Sequence, residues 1–278
     1  MSKISSQDRA LYLEKIKKYH DSIEMYLDKE KEILAAIKQD TEDSALKRLS
    51  LVEVMLNLCS YYLAQNGISQ SVLKVKNEDA LNECRKSIYK SVIYLEQIVT
   101  SMVDAPFSEY EKELERLAPL SPGDRYYLVR KMGLTIHLLE NAFGENSKWK
   151  WAFVDLEGRY AAAAKNLIDL KTVISNTDPR SPNYAPTVYH LRLVKKLLMQ
   201  AADRYRDRYE LSTNRVNDFE MGIRFLHALH WILEIFQDRE EAWTVSRKLD
   251  TWELKLSRDL QRDPSVKKEP RAGNLIQH

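Results

Sequence analysis

Between Tyr12 and Ile37 the apolar positions recur in alternating steps of four and three. They are Tyr12, Ile16, Tyr19, Ile23, Tyr26, Ile33 and Ile37, and the charged residue Glu30 occupies the one seam position left over. That spacing lines all of them along one side of a helix and makes a heptad seam. Glu, Asp and Lys crowd the flanks, as on a solvated helix face. The seam has two readings. It is one face of a bundle inside the chain, or it is an intermolecular coiled coil or docking surface for a partner helix. Tyrosine suits the second, because its ring buries while its hydroxyl stays wet. These seven residues are therefore candidate protein-interaction residues.

The same reading continues along the chain. Thr41, followed by Glu42 and Asp43, predicts the cap of a second helix running to about Ala64. Residues 51–63 are apolar on nearly every side, so this helix should be central, and Asn66-Gly67 supplies its stop. Asn77, with Glu78 and Asp79, opens a third helix striped by Leu81, Cys84, Ile88, Val92, Leu95, Val99 and Met102. Ser108-x-x-Glu111 reads as a capping box for a short helix, Glu109 to Leu117. Ser121-Pro122-Gly123-Asp124 starts another, carrying Tyr127, Met132, Ile136, Leu139 and Phe143 and stopping near Gly144. A long helix over about 147–175 contains Trp149, Trp151 and the small-residue run Ala161–Ala164. From Thr177 to Pro186 the three prolines exclude regular structure. Three helices of similar length follow, near 187–210, 213–236 and 238–262, with Asp238-x-x-Glu241 as a capping box between the last two.

No alternation of β-branched residues survives beside these patterns, so the fold class is all-α, with long antiparallel helices and no sheet. No signature recurs at a fixed period, which favours bundles or an irregular helical stack over a regular solenoid. The prolines suggest a three-helix bundle over 1–105, a hinge with a short helix over 106–122 and a second bundle over 123–262. The tail, 263–278, is mixed in charge, poor in apolar residues and expected to be disordered.

Composition narrows the function classes. Hydrophobic residues make up 44% and charged residues 30%, enough for a large core under a densely charged surface. Lys plus Arg number 43 against 41 Asp plus Glu, a net charge of +2, and the two signs are interspersed in both halves. A nucleic-acid binder usually shows a basic stripe or domain, and its absence makes nucleic acid an unexpected primary partner. The uncharged stretch from Val54 to Leu73 turns polar at Gln65, well short of the roughly 20 apolar residues a bilayer requires. The N-terminus lacks an apolar run of signal-peptide length. Cys59 and Cys84 sit within helical apolar patterns and read as two buried thiols. A cytoplasmic protein without a membrane span is the expectation.

Chemistry is sparsely represented. His227-Ala-Leu-His230-Trp-Ile-Leu-Glu234 puts three possible metal ligands on one helical face. It lacks the HExxH spacing, and the facing Glu-x-x-His partners of a di-iron bundle are missing. Histidines packed on a tryptophan-lined surface are the simpler account. There is no GxSxG elbow, no local Cys–His signature and no Gly-rich phosphate loop. No cofactor is expected. Arg204-Tyr205-Arg206-Asp207-Arg208-Tyr209-Glu210 suits phosphate or an acidic peptide, or else a solvated ion-paired face with both tyrosines turned inward. Trp231, Trp243 and Trp252 are expected in the core of the second bundle; if Trp149 and Trp151 both lie on the short turn entering their helix, one of them is free to act as an interface anchor.

The functional expectation is a non-catalytic helical adaptor or assembly subunit, working through protein partners or self-association. A metal-dependent helical protein using His227, His230 and Glu234 is the first alternative. A nucleic-acid-binding helical protein is the second.

Overall fold

The computed structural model describes residues 5–39, 44–144 and 147–262. Among these the fold is all-α, with no strand. The helices are α1 Ser6–Gln39, α2 Ser44–Ile68, α3 Glu78–Glu96, α4 Phe107–Glu115, α5 Pro122–Phe143, α6 Lys150–Asn166, α7 Leu170–Asn176, α8 Tyr184–Arg208, α9 Val216–Ile235 and α10 Arg239–Arg262. None is long and apolar enough to cross a membrane. The cap expected at Thr41 and the tail at 263–278 lie outside the described residues.

Local signals set several helix ends as expected. The Asn77 side chain accepts from the Ala80 N–H at 3.0 Å and caps α3. Ser121 and Asp124 form a reciprocal capping box on α5, with Pro122 opening the first turn. Gly144 ends α5 with φ +84°, a conformation that suits glycine.

Other ends differ, each for a tertiary reason. Asn66-Gly67 does not stop α2, which continues to Ile68 and closes on a π-helical turn over Ser69–Leu73. Buried Asn66 accepts from the Asn77 N–H at 2.9 Å, and Ser69 donates to the Val75 carbonyl at 2.9 Å, so these polar groups bind the following loop. The box at Ser108 does not form; α4 begins at Phe107 behind Pro106, without a side-chain cap. The helix expected over 147–175 breaks in two. Lys165 reaches the Ala105 carbonyl and Asn166 the Thr100 carbonyl, while Asp169 caps α7 through the Lys171 N–H. Pro186, expected in irregular chain, lies in the first turn of α8, where its missing N–H costs nothing. α8 ends on a second π-helical turn, Tyr209–Thr213, closed by Asn214 at φ 49°.

Two compact units result, and they divide elsewhere than at the proline hinge. One comprises residues to 101 and 105–190; the other comprises 102–104 and the residues from 191. In the first, α2 packs on α1, α3 and α5, and α3 on α5 and α6. Leu51, Leu56, Leu58, Leu81, Ile88, Val92, Met132, Leu139 and Leu156 are fully or almost fully buried in it. The inward face of α5 therefore completes a core begun by α2 and α3. The prolines at 106–122 mark helix ends within one unit instead of a boundary between two.

In the second unit α9 packs on α10. Gly222 lets α9 approach α8: a Cβ there would meet the Ala202 carbonyl oxygen at 3.0 Å. Only Trp252 of the tryptophans expected in this core is buried; Trp243 and Trp231 are exposed. Asp104 joins this unit through a bidentate pair with Arg224, at 2.9 and 2.6 Å.

His190, at the end of the first unit, makes stability depend on pH. Burial drives its pKa down to about 4, aided by the Arg125 charge and opposed by its 3.0 Å contact with the Ala164 carbonyl. The unfolded histidine takes up a proton near pH 6.5 and the folded one only near 4. Stability present above pH 6.5 is thus lost as pH falls towards 4, by about 3 kcal/mol in all. Urea titrations across that window should show the loss, and His190→Gln should flatten it. An unchanged slope in the variant would refute this assignment.

Candidate functional site

The heptad seam packs within the chain. Ile16 and Ile23 are buried, and α1 lies along α2 and the turn that follows it. The Tyr19 and Tyr26 rings flank Tyr61 of α2, with centroids 6.1 and 5.7 Å away. The Tyr12 hydroxyl accepts from the Asn77 amide at 3.0 Å. Ile33 and Ile37, further along α1, are half-buried. Glu30, the charged seam residue, is buried; Lys90 donates to it at 2.8 and 3.1 Å and the Tyr94 hydroxyl at 2.9 Å. Burial, reinforced by this carboxylate, raises the Tyr94 pKa. The break in the heptads is a polar anchor to α3, a role the sequence pattern alone does not disclose.

The histidine face does not assemble. His227 turns to Glu253 of α10, its Nε2 2.9 Å from a carboxylate oxygen. His230 and Glu234 lie 3.8 Å apart on the surface of α9. Among the described residues no group of three or more His, Cys, Asp or Glu side chains is placed to hold a metal ion. The spacing is right for one helical face, but α10 offers a nearer partner and draws His227 aside.

Around residues 204–210 the two tyrosines turn inward and the charges pair. Tyr205 stacks on Phe225 and Tyr209 on Phe219. Arg206 binds Glu210 at 3.1 Å, Arg208 binds Asp218, and Lys248 binds Asp203 at 2.6 Å. Cys59 and Cys84 are free and buried, each Sγ against the other's carbonyl at 3.4 and 3.7 Å. Burial raises the Cys59 pKa strongly, which keeps it an unreactive thiol.

A row of exposed apolar side chains lies on the outer side of α5. Leu128, Val129, Met132, Ile136 and Leu139 face inward. Opposite them Tyr127 is 63% exposed, Leu134 57% and Leu138 47%. With Lys131 these fall in steps of four, three and four, so they form one continuous stripe. Tyr126 extends it sideways, its ring 5.6 Å from Tyr127 and 6.0 Å from Tyr189, itself half in solvent. Between Asp124 and Glu140 the acid and base residues of α5 are Arg125, Arg130, Lys131 and His137. Arg125 turns inward, so Arg130 beside the stripe and Lys131 within it make this outer face basic. The sequence pattern groups Tyr127 with Met132, Ile136 and Leu139, whereas the structure turns it to the opposite, exposed side. A second set of apolar residues about half a helical turn from the first was the signal for an outer stripe.

The sequence profile of the TP0443 family matches residues 8–260, a span that reaches into both compact units, and the chain belongs to that family. Neither a curated protein nor a solved structure matched it.

Proposed function

We propose that this member of the TP0443 family is a non-catalytic cytoplasmic adaptor or assembly subunit that holds a protein partner on the outer face of α5. The observation that carries the reading is the stripe of Tyr127, Leu134 and Leu138. Single exposed apolar residues are ordinary, but a row along one helix face, interrupted only by Lys131 and bordered by aromatic rings, marks an interaction surface. The occupant it suits is an amphipathic helix. Steps of four and three along the stripe match the i, i+3, i+4, i+7 anchors of such a helix. The positive charge of Arg130 and Lys131 calls for acidic residues among or beside those anchors. Two thiols held side by side without a disulfide suit a reducing compartment.

The α1 seam already packs on α2, which favours α5 for the partner role. The test places charge where a partner's apolar residues would sit. Leu134→Glu with Leu138→Glu leaves the α5 core face untouched and should keep the fold. Placing charge at two anchor positions should weaken the partner complex at least about 30-fold, the equivalent of roughly 2 kcal/mol. In extracts of its native cells, wild-type chain should migrate in a larger assembly and the double variant at its own 32.5 kDa. Trp243→Glu, on the other unit, should migrate as wild type. Identical migration of the double variant and the wild type would sink the proposal.

A further inference from the structure

We infer that the first unit contains a binding site for a small organic monocarboxylate, in the cavity where Arg125 of α5 faces Thr187 and His190 of α8. The cavity measures about 480 Å³ and lies wholly between elements of residues 118–190. That volume is within the range of small-molecule sites. Its wall is mixed: Leu120, Ile168 and Val173 supply apolar surface, Arg125 and Thr187 the polar groups.

Arg125 is the reason to expect an anion. Its residue is 7% exposed, and its two terminal nitrogens donate to the carbonyls of Leu117 and Leu167, at 3.0 and 3.3 Å. It has no salt bridge among the described residues, and its Nε–H has no hydrogen-bond partner there. Burying a charge in this way is costly unless a counter-charge arrives. Burial depresses the guanidinium's pKa, and the charge of Asp169 on the cavity wall offsets only part of that. Thr187 repeats the pattern: it is 4% exposed, and among the described residues its hydroxyl has no hydrogen-bond partner. Among the described residues, two unsatisfied donors thus belong to residues that line one cavity, which suits a ligand with two acceptor oxygens.

Carboxylate fits better than phosphate on two counts. Two free donors match two carboxylate oxygens and leave a phosphate's third oxygen unmet. Asp169, on the same wall, would repel a dianion more than a monoanion. The apolar residues then accommodate a short hydrocarbon body.

Hexanoate is the probe, with hexanol and inorganic phosphate as controls, titrated into the full chain and followed by calorimetry and amide NMR shifts. Saturable binding of hexanoate is expected, with shifts concentrated at residues 118–125, 167–173 and 183–190. Phosphate should not bind there, and hexanol should bind at least roughly tenfold more weakly. Thr187→Val keeps shape and volume while removing one hydrogen bond to a charged group, so it should weaken hexanoate roughly tenfold. Arg125→Met should abolish hexanoate binding; Thr187→Val remains decisive if that variant fails to fold. Absent hexanoate saturation, equal binding of hexanol, tighter binding of phosphate at the same residues, or unaltered affinity in Thr187→Val would each overturn the inference.

Discussion

Phe219→Ala is expected to destabilise the second unit by about 3–5 kcal/mol, the usual cost of removing a fully buried phenylalanine ring. The ring has no solvent exposure. Tyr209 stacks on it with centroids 5.0 Å apart and planes within 2°, and Trp252 lies 5.5 Å away. The Lys255 ammonium sits 5.7 Å from the ring centroid. Truncation therefore leaves a void bounded by two large rings that cannot both close on it. Tyr209 is also fixed from outside, its hydroxyl donating to Asp259 at 2.9 Å, which limits relaxation further. Urea unfolding followed by tryptophan fluorescence measures the effect. Trp243→Ala is the control: that indole is 62% exposed, and its loss should cost no more than about 0.5 kcal/mol. A cost below about 1 kcal/mol for Phe219→Ala would mean the aromatic stack is not the core of this unit.

Arg159→Ala should cost about 3 kcal/mol in the first unit, because it strands a buried carboxylate. Arg159 of α6 grips Glu96 at the end of α3 with both Nε, at 2.9 Å, and a terminal nitrogen. The Glu96 side chain is almost fully buried and that of Arg159 about two-thirds so. The hydrogen bond to Glu96 raises the Arg159 pKa, against the effect of burial. Arg159→Lys should recover less than half of the loss, since an ammonium cannot make the same two-pronged contact. Glu96→Leu combined with Arg159→Met removes both charges and should lie within about 1.5 kcal/mol of wild type. Equal costs for Arg159→Ala and the double replacement would show that lost packing, not the stranded charge, governs this site.

What could be read from the chain was what is decided locally. The cap at Asn77, the box at Ser121 and the stop at Gly144 depend on neighbours within a turn, and the sequence displays all of them. The all-α character follows from periodicity for the same reason. Features decided by distant residues were not legible. α2 passes through Asn66-Gly67 because Asn66 is engaged by Asn77. The break after α6 is held by Lys165 and Asn166 reaching back to carbonyls at 105 and 100. The division of the chain follows the buried face of α5, whereas prolines report only where helices end. The site was harder still. The seam of α1 advertises an interface without saying whose, and within the chain it packs on α2. His227 and Glu234 share a helix face, yet α10 supplies Glu253 closer at hand. Arg125 carries no sequence mark at all. Its burial is created jointly by the α4–α5 connection and the end of α6.

The central claim is that the protein works by holding a partner helix on Tyr127, Leu134 and Leu138. A photo-reactive amino acid at position 134, introduced in the native cells, tests it most directly, with position 13 as an equally exposed control. The account predicts strong crosslinking at 134 to one other protein, through a segment with apolar residues at helical spacing and acidic flanks, abolished by Leu138→Glu. Crosslinks only to a second copy of the chain, or a yield at 134 no greater than at 13, would contradict it.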